Sequence, residues 1–365
     1  MKTRKSVTKG ISEIMRSRRL QMLLNGIVMV ACWGLAALDF SHSAVGQEAA
    51  GPASAAEDGQ AVLKRMGNRG IMVHDPSTIV RCKDEYWVFI TGRNTPSFHC
   101  KDLVNWTSGP RANANPPAWV AEAVPANRGA DFWAPDVIKV GEKYLLFYSA
   151  SSFGKNTSAI GVASNPTLDP EDPAYKWTDG GIVVQSREND DFNTIDPAVF
   201  LDADGTLWLS FGSFWSGIKL IELDPATGRR IAADSPMYSL AHWDAIEAPY
   251  IYRHDGHYYL FASLGMCCRG VNSTYHTRVG RAEKVTGPYL DKDGKDMLDG
   301  GGTMVVDTVG PFIGPGHAGI IEEDGKSWFS CHFYDGTTPR GISRLSIRPL
   351  RWDAAGWPVV GEMGQ

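Results

Sequence analysis

The sequence predicts an all-β protein, a five-bladed β-propeller, and three observations carry that prediction. One strand-turn-strand unit recurs five times, the copies are spaced for about four short strands each, and no helical periodicity interrupts residues 70 to 357. The units are HDPSTIVRCKDEYWVFITGR (74–93), WAPDVIKVGEKYLLFYSAS (133–151), IDPAVFLDADGTLWLSFGS (195–213), EAPYIYRHDGHYYLFASL (247–264) and GHAGIIEEDGKSWFSCHF (316–333). Each joins an apolar strand to a second strand through Lys83-Asp84, Gly141-Glu142, Asp204-Gly205, Asp255-Gly256 or Asp324-Gly325. Most of these pairs supply the Asx or Gly chemistry that a tight hairpin needs. The second strands alternate aromatic and aliphatic residues, as a sheet packed on both faces requires. The anchors Asp75, Asp136, Asp196, Glu247 and His317 lie 61, 60, 51 and 70 residues apart, room for a four-stranded blade each. A β-sandwich would also bury aromatic strands, but it does not repeat one motif five times.

The rest of the chain divides around this body. Residues 1–44 hold seven of the 36 basic residues and two of the 41 acids, followed by an apolar run from Leu20 to Leu38 and small residues around Ala44. This is the pattern of a secretory signal peptide cleaved near Ala44, and it predicts export to the periplasm or the exterior. An uncleaved signal anchor and lipidation at Cys32 are the competing readings. Residues 45–69, rich in Ala and Gly, read as a flexible segment, which leaves 70–365 as the propeller. The body keeps 29 basic and 39 acidic residues and has no basic run, which excludes nucleic acid as a partner. No stable protein partner is implied. Five cysteines follow the signal: Cys82 and Cys100 share a repeat and are expected to form a disulfide, while Cys267 and Cys268 are read as buried thiols in preference to a strained vicinal disulfide.

In a propeller the first strand of each blade lines the axis, so equivalent positions converge there. Aligned on Pro76, Pro135, Pro197 and Pro249, the slot before the proline holds Asp75 and Asp196, with Glu247 one residue earlier and one methylene longer. An Asp before Pro often caps a turn, which explains either aspartate alone and Glu247 poorly. Clustered carboxylates raise one another's pKa, a cost that catalysis explains and structure does not. Two carboxyl groups flanking a bond, one protonated and one ionised, are what glycoside hydrolysis requires. Glu247 is expected to be the general acid, Asp196 its pKa modulator and Asp75 the base that activates water. A separation of roughly 6.5–9.5 Å between acid and base inverts the anomeric centre, and about 5 Å retains it.

The ordered set VHDPS, FWAPD, TIDPAVF, EAPY, CCRGVNSTY and GPGHAG resembles glycoside hydrolase family 43, more narrowly its endo-α-1,5-L-arabinanases, from residue 71 to about 352. The resemblance implies a five-bladed propeller, an inverting reaction on arabinan, and the same roles for Asp75, Asp196 and Glu247. It also implies a central metal ion, most often calcium, at His317. Calcium prefers several oxygen ligands, so one imidazole must leave most of the coordination to water; the alternative is a hydrogen-bonded histidine. Trp133 shares the slot of Glu247 and is expected to face the channel and stack on a furanose. His74, Asn193, Thr194, Ser213, Phe214 and Trp215 resemble the family's substrate contacts. Relatives acting as exo-α-L-arabinofuranosidases or β-xylosidases use the same carboxylates, and a non-catalytic carbohydrate-binding propeller is the reading from a different class.

Overall fold

A computed structural model describes residues 71–127, 131–323 and 325–361. The expected signal peptide (1–44) and flexible segment (45–69) lie outside the described residues.

Five antiparallel sheets follow one another along the chain as the blades of a propeller. Blade one contains β1 (Val80–Cys82), β2 (Glu85–Phe89), β4 (Ser97–Cys100) and β5 (Thr107–Ser108). Blade two contains β6 (Asp131–Val140), β7 (Lys143–Ala150), β8 (Ser158–Asn165) and β9 (Thr178–Ser186), with the two-residue β3 (Gly92–Arg93) added at its inner edge. Blade three contains β10 (Ala198–Leu201), β11 (Leu207–Phe211), β12 (Ile218–Leu223) and β13 (Met237–Ala241). Blade four contains β14 (Ile246–His254), β15 (His257–Leu264), β16 (His276–Ala282) and β17 (Thr303–Val306). Blade five contains β18 (Phe312–Glu323), β19 (Lys326–Asp335), β20 (Ile342–Trp352) and β21 (Pro358–Val360). The turns behave as their residues dictate. Cys82 faces Glu85, Val140 faces Lys143 and His254 faces His257 across two-residue loops, and Asp255 and Gly256 both take the positive φ of a type I′ turn. The only α-helix among the described residues is α1 (Trp119–Ala123), a single short turn between blades one and two.

The core follows from the period of two along the second strands. Tyr144, Leu146 and Tyr148 of β7 pack toward blade one with Trp87 and Phe89, while Leu145 and Phe147 pack toward blade three with Leu207, Leu209 and Phe211. In β15, Tyr259 and Phe261 face blade five, and Leu260 and Ala262 face blade three. Ile321, Leu345 and Ile347 of the last blade pack on Val73, Ile79 and Val88 of the first. Each blade interface therefore has its own apolar cluster, each fully buried large side chain contributing about 1.5–3 kcal/mol. The ring closes through the backbone as well: the Val73 N–H donates to the Ser343 carbonyl and Met72 bridges Arg344.

This two-faced packing corrects the expected disulfide. Cys82 belongs to the cluster between blades one and two, and Cys100 to the cluster between blades five and one. They lie on opposite faces of one blade, where no S–S bond can join them, and both are free buried thiols.

Candidate active site

The five blades meet the axis in the same way. Asp75, Ala134, Asp196, Ala248 and His317 have φ of 48°, 43°, 57°, 50° and 62°. L-residues rarely adopt this left-handed region, and each such residue costs about 1–3 kcal/mol unless its surroundings hold it. What holds it here is a ring of hydrogen bonds, since each of these N–H groups donates to a side chain of the preceding blade. Asp75 donates to His332 Nδ1 (3.1 Å), Ala134 to Thr91 Oγ1 (2.8 Å) and Asp196 to Ser149 Oγ (3.0 Å). Ala248 donates to Asp196 Oδ2 (3.1 Å) and His317 to Ser263 Oγ (2.9 Å). In blades two and four the left-handed residue is an alanine, so the side chain just before it, Trp133 or Glu247, takes the axial place. That is why Glu247 stands one residue early against the prolines.

The ring opens into a cavity of about 710 Å³. Of the residues expected to bind or react, His74, Asp75, Trp133, Asn193, Asp196, Ser213, Phe214, Trp215 and Glu247 line it. Two of the expected contacts have further surroundings. Thr194 is fully buried, with its N–H donated to Ser186 Oγ, and does not reach the cavity wall. Ser213 lines the cavity, but its hydroxyl donates to Glu247 Oε2 at 2.8 Å, so it orients a carboxyl group. His317 lies beside Asp75, buried and outside the lining.

The three carboxyl groups differ in electrostatics. Burial works against ionising Asp75, but His74 Nδ1 at 2.8 Å outweighs it. With help from His317 and His332, His74 holds the Asp75 carboxyl well below the usual carboxylate range. The Thr91 hydroxyl donates to the same Asp75 oxygen at 2.7 Å. Burial likewise opposes charge on His74, yet the Asp75 carboxylate, with Cys268 behind it, keeps His74 well above the usual imidazole range. Its other nitrogen is 2.9 Å from the Tyr334 hydroxyl, and its ring stacks on His332 at 4.4 Å. Glu247 and Asp196 are pushed the other way. Burial raises Glu247, with the charge of Asp75 adding to it and the Ser213 hydrogen bond opposing. Burial also raises Asp196, followed by the charges of Glu247 and Asp75, against the Ala248 N–H. The site therefore pushes one carboxyl group towards the ionised form and the other two towards the protonated form, the division that acid and base work needs.

Several contributors were not read from the sequence. Asp136 served only as a repeat anchor, yet it is a buried clamp. Its Oδ1 accepts the Thr78 N–H at 2.9 Å and its Oδ2 the Val199 N–H at 2.8 Å, three residues beyond Asp75 and Asp196 respectively. Burial pushes its pKa up to about 6 in spite of these bonds. Asp136→Ala leaves two buried N–H groups unpaired, at about 1–3 kcal/mol each. A thermal melt is expected to show a clearly lower midpoint, and an unchanged midpoint would contradict the clamp. His332, Thr91 and Tyr334 were missed because they lie on or beside second strands, whose apolar pattern hides a polar residue facing the axis. Cys267 and Cys268, expected to be buried, instead line the cavity, half-buried and exposed respectively, because the loop after β15 turns back over the axis.

His74, Asp75 and His332 also bring ligand atoms within 4.8 Å of one another. Most of those atoms are already committed: His74 Nδ1 to Asp75, His74 Nε2 to Tyr334, and His332 Nδ1 to the Asp75 N–H. His317 Nδ1 is different, being buried without a hydrogen-bond partner, 3.5 Å from Asp75 Oδ1.

The model of glycosyl hydrolases family 43 matches residues 71–358. The chain belongs to glycosyl hydrolase family 43. Among its family 43 relatives, the extracellular exo-α-(1→5)-L-arabinofuranosidase ArbA of Cellvibrio japonicus is 42% identical, with 81% of this chain and 88% of that protein covered. The extracellular endo-α-(1→5)-L-arabinanase 1 of Bacillus subtilis is 40% identical, with 79% and 87% covered. The solved structure of Cellvibrio cellulosa α-L-arabinanase complexed with arabinohexaose superimposes with a TM-score of 0.76 at 41% identity, covering 81% of this chain and 99% of that one.

Proposed function

We propose that this family 43 glycoside hydrolase cleaves α-1,5-L-arabinofuranosidic bonds inside arabinan chains, with inversion at the anomeric carbon. The observation that carries the reading is the split among the axial carboxyl groups: Asp75 pushed down by His74, Glu247 and Asp196 pushed up by burial and the charge of Asp75, all on one cavity. Asp75 accepts a proton from water on one face of the furanose. Its contacts with Thr91 and His74 fix which lone pair faces the sugar and keep it unprotonated. Glu247 delivers a proton to the departing glycosidic oxygen. Its longer side chain reaches the bond, and Ser213 sets its rotamer. Asp196 is the pKa modulator: the charge of Glu247 raises it, so the two carboxyl groups resist being ionised together. It is held in place by the Ala248 N–H. Trp133, Phe214 and Trp215 offer apolar faces to the sugar rings, while Asn193, whose Oδ1 accepts from Ser158 at 2.8 Å, presents a fixed amide.

An exo-acting reading is favoured by the names of similar proteins, the Cellvibrio japonicus relative among them. Product length separates the two. Digestion of linear α-1,5-arabinan followed by chromatography is expected to give an early spread of short oligosaccharides; a single product length from the start would make the enzyme exo-acting. Release of nothing, with arabinan still bound, would make the propeller a binding module.

A cation at the axis fits His317, whose buried Nδ1 has no other partner. His317 would hold it, with water supplying most of the oxygen ligands that calcium prefers. Bound there, it would add positive charge near Asp75, whose Oδ1 is 3.5 Å from His317 Nδ1. Exhaustive chelation is expected to lower the melting temperature and activity of the wild-type chain, and calcium to restore both. A His317→Ala variant is expected not to respond to chelation. An unresponsive wild type would contradict the metal. Export of the chain accords with relatives named extracellular, and N-terminal sequencing of the secreted protein is expected to begin near residue 45.

A further inference from the structure

Cys267 and Cys268 stand in the wall of the cavity that holds the three carboxyl groups, and the mechanism above uses neither. Adjacent side chains in an extended chain point to opposite sides. These two converge, with their sulfurs 2.7 Å apart. The turn responsible has Cys268 at φ 62°, a conformation that non-glycine residues seldom adopt. Its surroundings hold it there. The Cys268 N–H donates to the Tyr334 hydroxyl at 2.7 Å, the Met266 N–H to Thr274 Oγ1 at 3.0 Å, and Ser273 Oγ to the Met266 carbonyl at 2.8 Å. Cys268 Sγ also lies 3.8 Å from His74 Nε2. The other three thiols among the described residues are buried in blade cores.

We propose that Cys267-Cys268 is a site of reversible oxidation in the cavity wall, closed to a vicinal disulfide by a low-molecular-weight disulfide. The Cys268 thiolate attacks one sulfur of the oxidant RSSR, whose S–S bond breaks and whose other half leaves as RS⁻ and takes up the proton that Cys268 gave to solvent. Cys267, losing its proton to solvent, then attacks Cys268 Sγ. The protein S–S bond forms, the mixed disulfide breaks, and the second RS⁻ leaves and is protonated. Two protein thiols are oxidised and one RSSR is reduced to two RSH. An S–S bond of about 2.05 Å needs only roughly 0.7 Å of further approach. Adjacent Cα atoms are about 3.8 Å apart, closer than the 4.4–6.8 Å usual for a disulfide. The ring is therefore strained and easily reduced, the behaviour of a labile bond and not of a structural staple. The division of roles follows the electrostatics. The hydrogen bond from Cys267, then His74, against burial, pulls the Cys268 thiol down to about 5, while that same contact and burial push Cys267 up. The exposed sulfur is thus the attacking thiolate.

The test is intact-mass spectrometry with peptide mapping on the mature chain, reduced and then exposed to glutathione disulfide. The expected product has lost two hydrogen atoms, located in the peptide that carries both cysteines. It carries no glutathionyl group and is restored by dithiothreitol. Labelling of this peptide by iodoacetamide is expected to slow at least about tenfold on oxidation, since thiolate is the nucleophile. In Cys267→Ser the reaction is expected to stop with one glutathionyl group on Cys268. A stable glutathionyl adduct on the wild-type chain, or no change of mass under conditions that oxidise free dithiothreitol, would overturn the proposal. The wild-type masses decide this even if the variant does not fold. They are read without any activity measurement, so they stand or fall apart from the arabinan reading.

Discussion

Glu247→Gln is expected to lose turnover on arabinan by about 10²–10⁴-fold, the range a positioned general acid contributes, while still binding arabino-oligosaccharides. The amide keeps the shape of the carboxyl group and can still accept the Ser213 hydrogen bond, so calorimetry should find near-native affinity beside the lost rate. The wild-type enzyme supplies the matching pH behaviour. Because burial raises the Glu247 pKa, the acid keeps its proton above the ordinary glutamate range. The alkaline limb of kcat/KM is therefore expected above that range, and it should be absent from the residual activity of the variant. Because Asp75 is held far down, the activity should persist on the acid side to pH values at which ordinary aspartates are already protonated. A variant that hydrolyses arabinan at an undiminished rate would remove Glu247 from the mechanism.

Asp75→Asn is expected to cost a comparable factor for a different reason. The amide cannot take a proton from water, and replacing the carboxylate also removes the charge that keeps His74 protonated. A small anionic nucleophile such as azide needs no base, so it should restore part of the turnover in Asp75→Asn and yield the glycosyl azide of inverted configuration. It should not do so in Glu247→Gln acting on arabinan, where the leaving group still lacks its proton. The alkaline limb should also move down in Asp75→Asn, because one of the anions that raises Glu247 is gone. Equal rescue of both variants would mean that the roles of acid and base are wrongly divided.

Five repeats and their prolines were enough to predict the blades and to bring Asp75, Asp196 and Glu247 to one axis. The reason is that a propeller turns repeat position into angular position. The one-residue offset of Glu247 was visible but unexplained. Its cause is backbone conformation, with the left-handed residue at Ala248 in blade four and at Asp196 in blade three. The misses share a cause. Cys82 and Cys100 are close in the chain yet face different blade interfaces, because β1 turns Val80 and Cys82 to one core and β4 turns Phe98 and Cys100 to the other. Thr194 sits beside Asn193, which lines the cavity, but is itself fully buried, with its N–H donated to Ser186 Oγ. His332 lies on β19, where the hydrophobic pattern predicts core. It occupies the slot in which other blades place Thr91, Ser149 or Ser263. An alignment of second strands on those hydroxyls would have exposed it. Asp136 could have been found in the same way, since it was already in the repeat and its two acceptor oxygens match two N–H groups at equivalent positions.

The measurement that bears most directly on the central claim is the anomeric configuration of the first product. Linear α-1,5-arabinan, mixed with enough enzyme to outrun mutarotation, should be followed by proton NMR from the earliest time point. Water activated by Asp75 on the face opposite Glu247 predicts that the new reducing end appears first as the β-anomer and drifts to equilibrium afterwards. An α-anomer at the earliest point would mean a covalent glycosyl intermediate. Asp75 would then be a nucleophile, and the assignment of a water-activating base would be contradicted.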